Sequence, residues 1–485
     1  MANGLTSSFG GGFTYVTSTA YSPTALLTER QYGSAGKVRR NYTWNTATGW
    51  LDRVTTTNKA DTATPQNVHD DQFFYNTGGD ITRVLDAASA VPGQTSGQSE
   101  CFGYDGLHRL TSAYTTTGAT CSTTFDGLGV DPYNQAWTYD PVGNITSVTN
   151  QGQNSTYTYP GAGPTATRPN ALTSLTTPQG PNTYVYDNAG QLTARTVAGK
   201  DGTFSWNRLG QLEKATIDGD DTTMVYGADG ERLIRRDPDG TATLYIGSME
   251  LSVSGGTVTG KRYYATSDGE MVAIRTTGTG LTWMLSGLHG SSQLAINDAT
   301  SQVSRQRYLP YGQRRGADNL PGTDRGFLGK IEDDSTGLDY LSARYYDPTI
   351  GKFISTDPLL GSTTAPQSFN PYSYAVNNPI GNADPTGLCS PDYCPQRAGN
   401  LDRLADKTKD KKLKKKAAAV NKRDSKRYQQ HYQQRDNNWV KRGKDPAAKR
   451  PIKRLSTNTR KRMRAQINVS TATVGMLSKT MTFWN

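Results

Sequence analysis

Beyond residue 388 the chain has a single histidine, His431, with Asp436 and Lys441 close behind it. An imidazole, a carboxylate and an amine are the groups that general acid–base cleavage of a phosphodiester uses. Tyr428, Tyr432 and Trp439 lie in the same stretch and offer flat faces on which bases stack. A lone histidine on a basic helix is more often a surface residue, and that plainer reading stands beside the catalytic one. No paired histidines or metal-binding carboxylate cluster accompany these residues. Cys389 and Cys394, spaced C-x4-C, lack the further Cys or His that a zinc site needs. The sequence therefore calls for no metal and no cofactor. Three Asp-Pro steps, at Asp347, Asp357 and Asp384, read from residue type alone as Asx-Pro turns.

The elements that would carry these tail residues are helical. Residues 400–443 hold good helix formers and no proline. Tyr428 and Tyr432, four apart, would share one helix face. DPAAKRP interrupts the pattern, RLSTNTRKRMRAQ reads as a second basic helix, and VGMLSKTMTFWN is an apolar cluster able to pack back on both. The run KDKKLKKK is compatible with a solvated charged segment, with a phosphate-binding surface, or with an anionic membrane, although it lacks the broad apolar face the last requires.

Charge divides the chain sharply. Residues 389–485 carry 26 Lys and Arg against 7 Asp and no Glu, a net +19, whereas the first 388 residues carry 27 basic and 35 acidic side chains, a net −8. Such asymmetry points to an anionic partner for the basic part. Apolar residues make up only 34% of the chain, and 27 Tyr stand against 11 Phe, which suits a sheet-rich body whose aromatics keep a polar edge. Cys101 with Cys121 and Cys389 with Cys394 can be read as loop disulfides or as free thiols. MANGLTSSFGGGF lacks the basic start and apolar run of a signal peptide, and no run of 18 apolar residues is present to span a membrane. Export would then use another route, or this would be a fragment of a longer exported chain.

The body repeats itself. FFYNTGGDITRV, FGYDGLHRLTSAY, WTYDPVGNITSV, YVYDNAGQLTA and FSWNRLGQLEKA share a frame: aromatic, Asp or Asn, two variable residues, usually Gly, one more, then Leu or Ile. MVYGADGERLIRR is a looser copy and YTWNTATGWLDRV a copy with one extra residue. Each copy predicts a β-hairpin, with an Asx turn closed by a residue of positive φ and the aromatic meeting the aliphatic across the strands. One hairpin cannot bury its apolar face alone, so neighbours must stack into a strip, wetted on at least one face. A compact β-sandwich is the plainer alternative.

These residues resemble the tyrosine–aspartate (YD) repeats of bacterial Rhs, insecticidal-complex C-subunit and teneurin-type proteins. FLGKIEDDSTGLDYLSARYYDPTIGKFISTDPL at 327–359 and NPYSYAVNNPIGNADPTGL at 370–388 are similar to the Rhs-associated core. LTWMLSGLHGSSQLAINDA and RYLPYGQRR resemble the segments preceding that core, although Leu285 and Ser286 depart from the usual acidic pattern. The resemblance implies a mainly β fold: a YD-repeat strip wound into a shell-like spiral sheet, closed by the core, with a small α-rich basic C-terminal domain held inside. The corresponding boundaries are 1–30 for a Gly/Ser/Thr-rich start, 31–300 for the strip, 301–388 for the core and 389–485 for the variable tip.

The resemblance also implies chemistry. Family cores cleave themselves after the Leu of P-x-x-x-x-D-P-x-G-L, matched here by Pro379, Asp384, Pro385, Gly387 and Leu388, so the implied scissile bond is Leu388–Cys389. Asp357 and Asp384 would be the carboxylate pair, one acting as base on water and the other as acid. Arg344 would hold a carboxylate or the substrate backbone, and Asp347 is the weaker candidate. One departure is that DPLLG and the segment STTAPQSFN widen the gap between the two aspartates to 27 residues. By resemblance the chain is the C-terminal part of an Rhs-type polymorphic toxin that encapsulates and releases a basic tip acting on nucleic acid in a competitor's cytoplasm. Its expected partners are its own tip, an immunity protein and that nucleic acid. The alternative is a non-enzymatic YD-repeat surface protein or an inactive remnant.

Overall fold

The computed structural model describes residues 4–388 apart from 9–11, 88–96, 119, 122–124, 164–165, 268, 317–319, 360 and 362–365. The chain divides into two compact units, Met1–Leu5 with Thr14–Arg397, and Thr6–Phe13 with Ala398–Asn485. Of the second unit only short pieces before Phe13 are described, and the expected basic helices lie outside the described residues. No described helix is long and apolar enough to cross a membrane.

The first unit is mainly β. Its strands form one antiparallel meander in which each pairs with the strand before and after it in sequence. The pattern continues unbroken to Val303–Arg305. The repeat explains the register. Tyr75 pairs with Ile81, Tyr104 with Leu110, Tyr139 with Ile145, Tyr186 with Leu192 and Trp206 with Leu212, each beside a register shift. The aromatic and aliphatic positions therefore do meet across the strands. In the turns, Asp140 Oδ1 accepts from the N–H groups of Val142 and Asn144, and Asp187 Oδ1 from those of Ala189 and Gln191. Gly143 at φ 83° and Gly190 at φ 78° occupy the left-handed position these turns require.

A second use of the aromatics joins successive repeats. The hydroxyl of Tyr104 donates to the carbonyl of Ile81 at 2.7 Å, and that of Tyr226 to Leu212 at 2.8 Å. Trp206 Nε1 donates to the Leu192 carbonyl at 2.6 Å. Each donor thus reaches back to the aliphatic residue of the preceding hairpin. This is a physical reason for Tyr and Trp rather than Phe at that position: a ring buried on its side still needs a partner for its polar tip.

Alternation leaves one face wet. In Lys200–Trp206 only Gly202 and Phe204 are buried. The other face packs on residues 307–388, so Leu110, Trp137, Leu192 and Leu212 share a core with Tyr311, Phe327, Tyr346, Phe353 and Tyr374. Inside, Ile331–Asp333, Leu338–Tyr340, Tyr345–Asp347 and Lys352–Phe353 make a small antiparallel sheet. Cys101 and Cys121 are joined as a disulfide; Cys389 and Cys394 lie outside the described residues.

The strip curls until its beginning meets its end. Tyr15 stacks on Tyr264 with ring centroids 3.8 Å apart. Arg30 and Arg40 both reach Glu270, Arg40 Nη2 donates to the Ser286 carbonyl at 2.6 Å, and Asn58 Nδ2 donates to the Ser301 carbonyl at 3.0 Å. Farther along, Asp86 pairs with Arg305 at 3.0 Å and Arg307 at 3.1 Å. These contacts are made by side chains reaching across, not by a strand ladder.

Candidate functional site

The strip's turns carry the inner segment 354–380. Leu192 N–H donates to the Ile354 carbonyl at 2.9 Å, and the Tyr372 hydroxyl to the Gly190 carbonyl at 2.8 Å. Asn370 Nδ2 donates to Asn144 Oδ1 and Asn377 Nδ2 to the Gly143 carbonyl, both at 2.9 Å. Asn378 Nδ2 reaches Asp80 Oδ1 at 3.4 Å. Residue-by-residue reading passed over this set of clamps. The signal available to it was the density of Asn and Tyr in NPYSYAVNNP.

So suspended, the loops converge on Arg344. It follows a tight turn in which Ser342 has φ 64°, and it is 3% exposed with its guanidinium stacked over the Phe353 ring. Arg344 Nη2 lies 2.9 Å from Asp357 Oδ2 and 3.1 Å from Asp384 Oδ2. One nitrogen therefore holds both carboxylates within the span of two hydrogen bonds. Nη1 donates to the Pro371 carbonyl at 2.9 Å, and Nε donates to the Gly387 carbonyl. Asp384 is 1% exposed, whereas the Asp357 side chain keeps 13% of its surface, leaving the pair open on that flank.

The backbone at Leu388 is gripped as well. Asp384 Oδ1 accepts from the Leu388 N–H at 3.0 Å, and the Ala343 N–H donates to the Thr386 carbonyl at 3.1 Å. Between them Gly387 has φ 68°, and a Cβ there would stand 2.8 Å from the Leu341 carbonyl oxygen and 2.9 Å from the Arg344 nitrogen. Only glycine fits this approach. Asp357 also accepts from the Leu359 N–H at 2.8 Å, and its own N–H donates to Pro371. The Asp-Pro turn geometry and the convergence on Arg344 therefore coexist.

Asp347 is placed elsewhere. It accepts from the Thr349 N–H at 2.9 Å and pairs with Arg195 of the strip at 2.7 Å, a structural arrangement. Tyr345 and Tyr346 are buried aromatics of the core. Lys330, which residue type alone did not single out, lies within electrostatic reach of Asp384. Burial lowers its pKa, and the negative charges of Glu231 and Asp384 oppose that shift. Cys389, Tyr428, His431, Tyr432, Asp436, Trp439 and Lys441 lie outside the described residues.

The family profile named Teneurin YD-shell matches residues 33–380. The chain is 38% identical over 98 residues to the tRNA nuclease WapA of Bacillus subtilis, covering 19% of this chain and 4% of WapA. It is 35% identical over 117 residues to the toxin subunit YenC1 of Yersinia entomophaga, covering 22% of this chain and 11% of YenC1. It thus matches only a small part of the length of these relatives. Among solved structures, TcdB2-TccC3-TEV superimposes with a TM-score of 0.64 at 21% identity, covering 80% of this chain and 20% of the other.

Proposed function

The chain belongs to the Teneurin YD-shell family, and from that premise we propose that it is the C-terminal part of an Rhs-type polymorphic toxin, whose core cuts its own backbone at Leu388–Cys389. The observation that carries this reading is the placement of Asp357 and Asp384 on one nitrogen of Arg344, beside the gripped Gly387 and Leu388 backbone. In the cleavage, one carboxylate takes a proton from water as its oxygen adds to the Leu388 carbonyl carbon. The bond to the Cys389 nitrogen then breaks as that nitrogen takes the proton held by the other carboxyl group, which starts the reaction protonated. Arg344 keeps the two carboxylates together and holds the preceding peptide in place. The products are a Leu388 carboxylate and a Cys389 amine.

The released segment is the basic tip. Its net charge of +19 and the chain's likeness to a protein named a tRNA nuclease support action on nucleic acid in a competing cell. An immunity protein in the producing cell belongs to the same reading.

Intact mass of the purified chain, beside Asp384→Asn and Asp357→Asn, tests the core. The parent should yield a fragment ending at Leu388 and another beginning at Cys389, while both variants stay whole. An uncut parent would remove the protease reading, and cutting in both variants would remove the assignment of the pair. The tip fragment, assayed on RNA and DNA, tests the second half.

A further inference from the structure

The arm that carries Asp384, residues 378–384, hangs from the strip at two points. At one, Asn378 reaches Asp80, which also accepts from His108 at 2.8 Å. At the other, His289 Nε2 lies 2.7 Å from the Ile380 carbonyl oxygen. Because a carbonyl can only accept, that nitrogen carries the proton. Asp80 and His289 sit in hairpin turns 209 residues apart in sequence, so the arm bridges two distant parts of the curled strip. Within the arm, Gly381 and Asn382 donate back to Asn378, and its far end delivers Asp384 to Arg344.

We propose that His289 is a positioning residue for the self-cleavage, holding the Asp384 arm in register through Ile380. The inference rests on the protease reading above. His289 is the only residue in the 287–290 turn with a side chain able to make this bond, since its neighbours are Gly287, Leu288 and Gly290. The turn packs beneath residues 326–329, where the Leu328 N–H donates to Ser291 Oγ and the Ser292 N–H to the Gly326 carbonyl.

The Nε2–H donor is present in both the neutral and the protonated ring, so the bond to Ile380 does not depend on the state of Nδ1.

The test follows the self-cleavage rate in chain made by cell-free synthesis. His289→Leu should slow cleavage about tenfold, and His289→Gln, which keeps a donor, should restore much of the parental rate. A His289→Leu rate equal to the parent's, or an equal loss in both variants, would overturn the proposal. Hydrogen exchange across 378–384 in the uncut Asp384→Asn chain reads the anchor without cleavage. Protection lowered by adding His289→Leu and recovered with His289→Gln supports it even if the parent never cuts. Protection unchanged by His289→Leu overturns it.

Discussion

Gly387 separates a turn that merely looks right from one that can work. Its φ of 68° and the 2.8 Å approach to Leu341 leave no room for a side chain. Gly387→Ala is expected to cost about 1–3 kcal/mol of backbone strain and, by displacing Leu388, to slow the proposed self-cleavage at least about tenfold. A thermal melt and an intact-mass time course check the two effects separately. If Gly387→Ala cleaves at the parental rate, the tight approach plays no part in positioning the peptide. At this scale the arrangement was expected through resemblance: residue type alone gave Asx-Pro turns, and the core motifs single out Arg344, Asp357 and Asp384, which the structure brings together. The carbonyls of Pro371 and Gly387 that complete the guanidinium's partners are not legible, because a backbone acceptor has no residue-type signature. The tail candidates lie outside the described residues.

The hairpin shows what a repeated frame specifies. Pairing of Tyr104 with Leu110 follows from spacing alone, since an Asx turn of fixed length sets which residues face each other. The bond from the Tyr104 hydroxyl to Ile81 does not follow, because it depends on how one hairpin lies against the last. The two contributions should separate by chemical denaturation. Tyr104→Phe removes only the staple and should cost about 1 kcal/mol. Leu110→Ala empties a fully buried position and should cost about 2–5 kcal/mol. A neutral Tyr104→Phe would mean that the staple adds nothing beyond the packed ring. The asparagine clamps of the inner segment fall between these cases. Their residue types are conspicuous in the sequence, but their acceptors sit on turns of separate hairpins.

Across the whole unit, the curl was expected only through resemblance. Arg30 and Glu270 are ordinary strand and turn residues 240 positions apart, and no local pattern announces that they meet. Their contact is nevertheless consequential, because Glu270 is the carboxylate shared by Arg30 and Arg40, whose side chains are 2% and 5% exposed. Glu270→Gln should destabilise the unit by about 3 kcal/mol, the usual loss when one member of a buried ion pair is removed. The melting temperature should fall accordingly, and a change smaller than the error of the melt would show that the seam bears no load. A barrel closed by hydrogen-bonded strands has a perimeter set by its strand count and shear. Among the described residues of the first unit the edges meet through side chains, so no hydrogen-bond register ties the first strand to the last. Because Tyr186, Trp206 and Tyr226 recur every 20 residues, gain or loss of one unit would let equivalent strands pair anew, and the change would be felt chiefly at the seam and at the clamps to the inner segment.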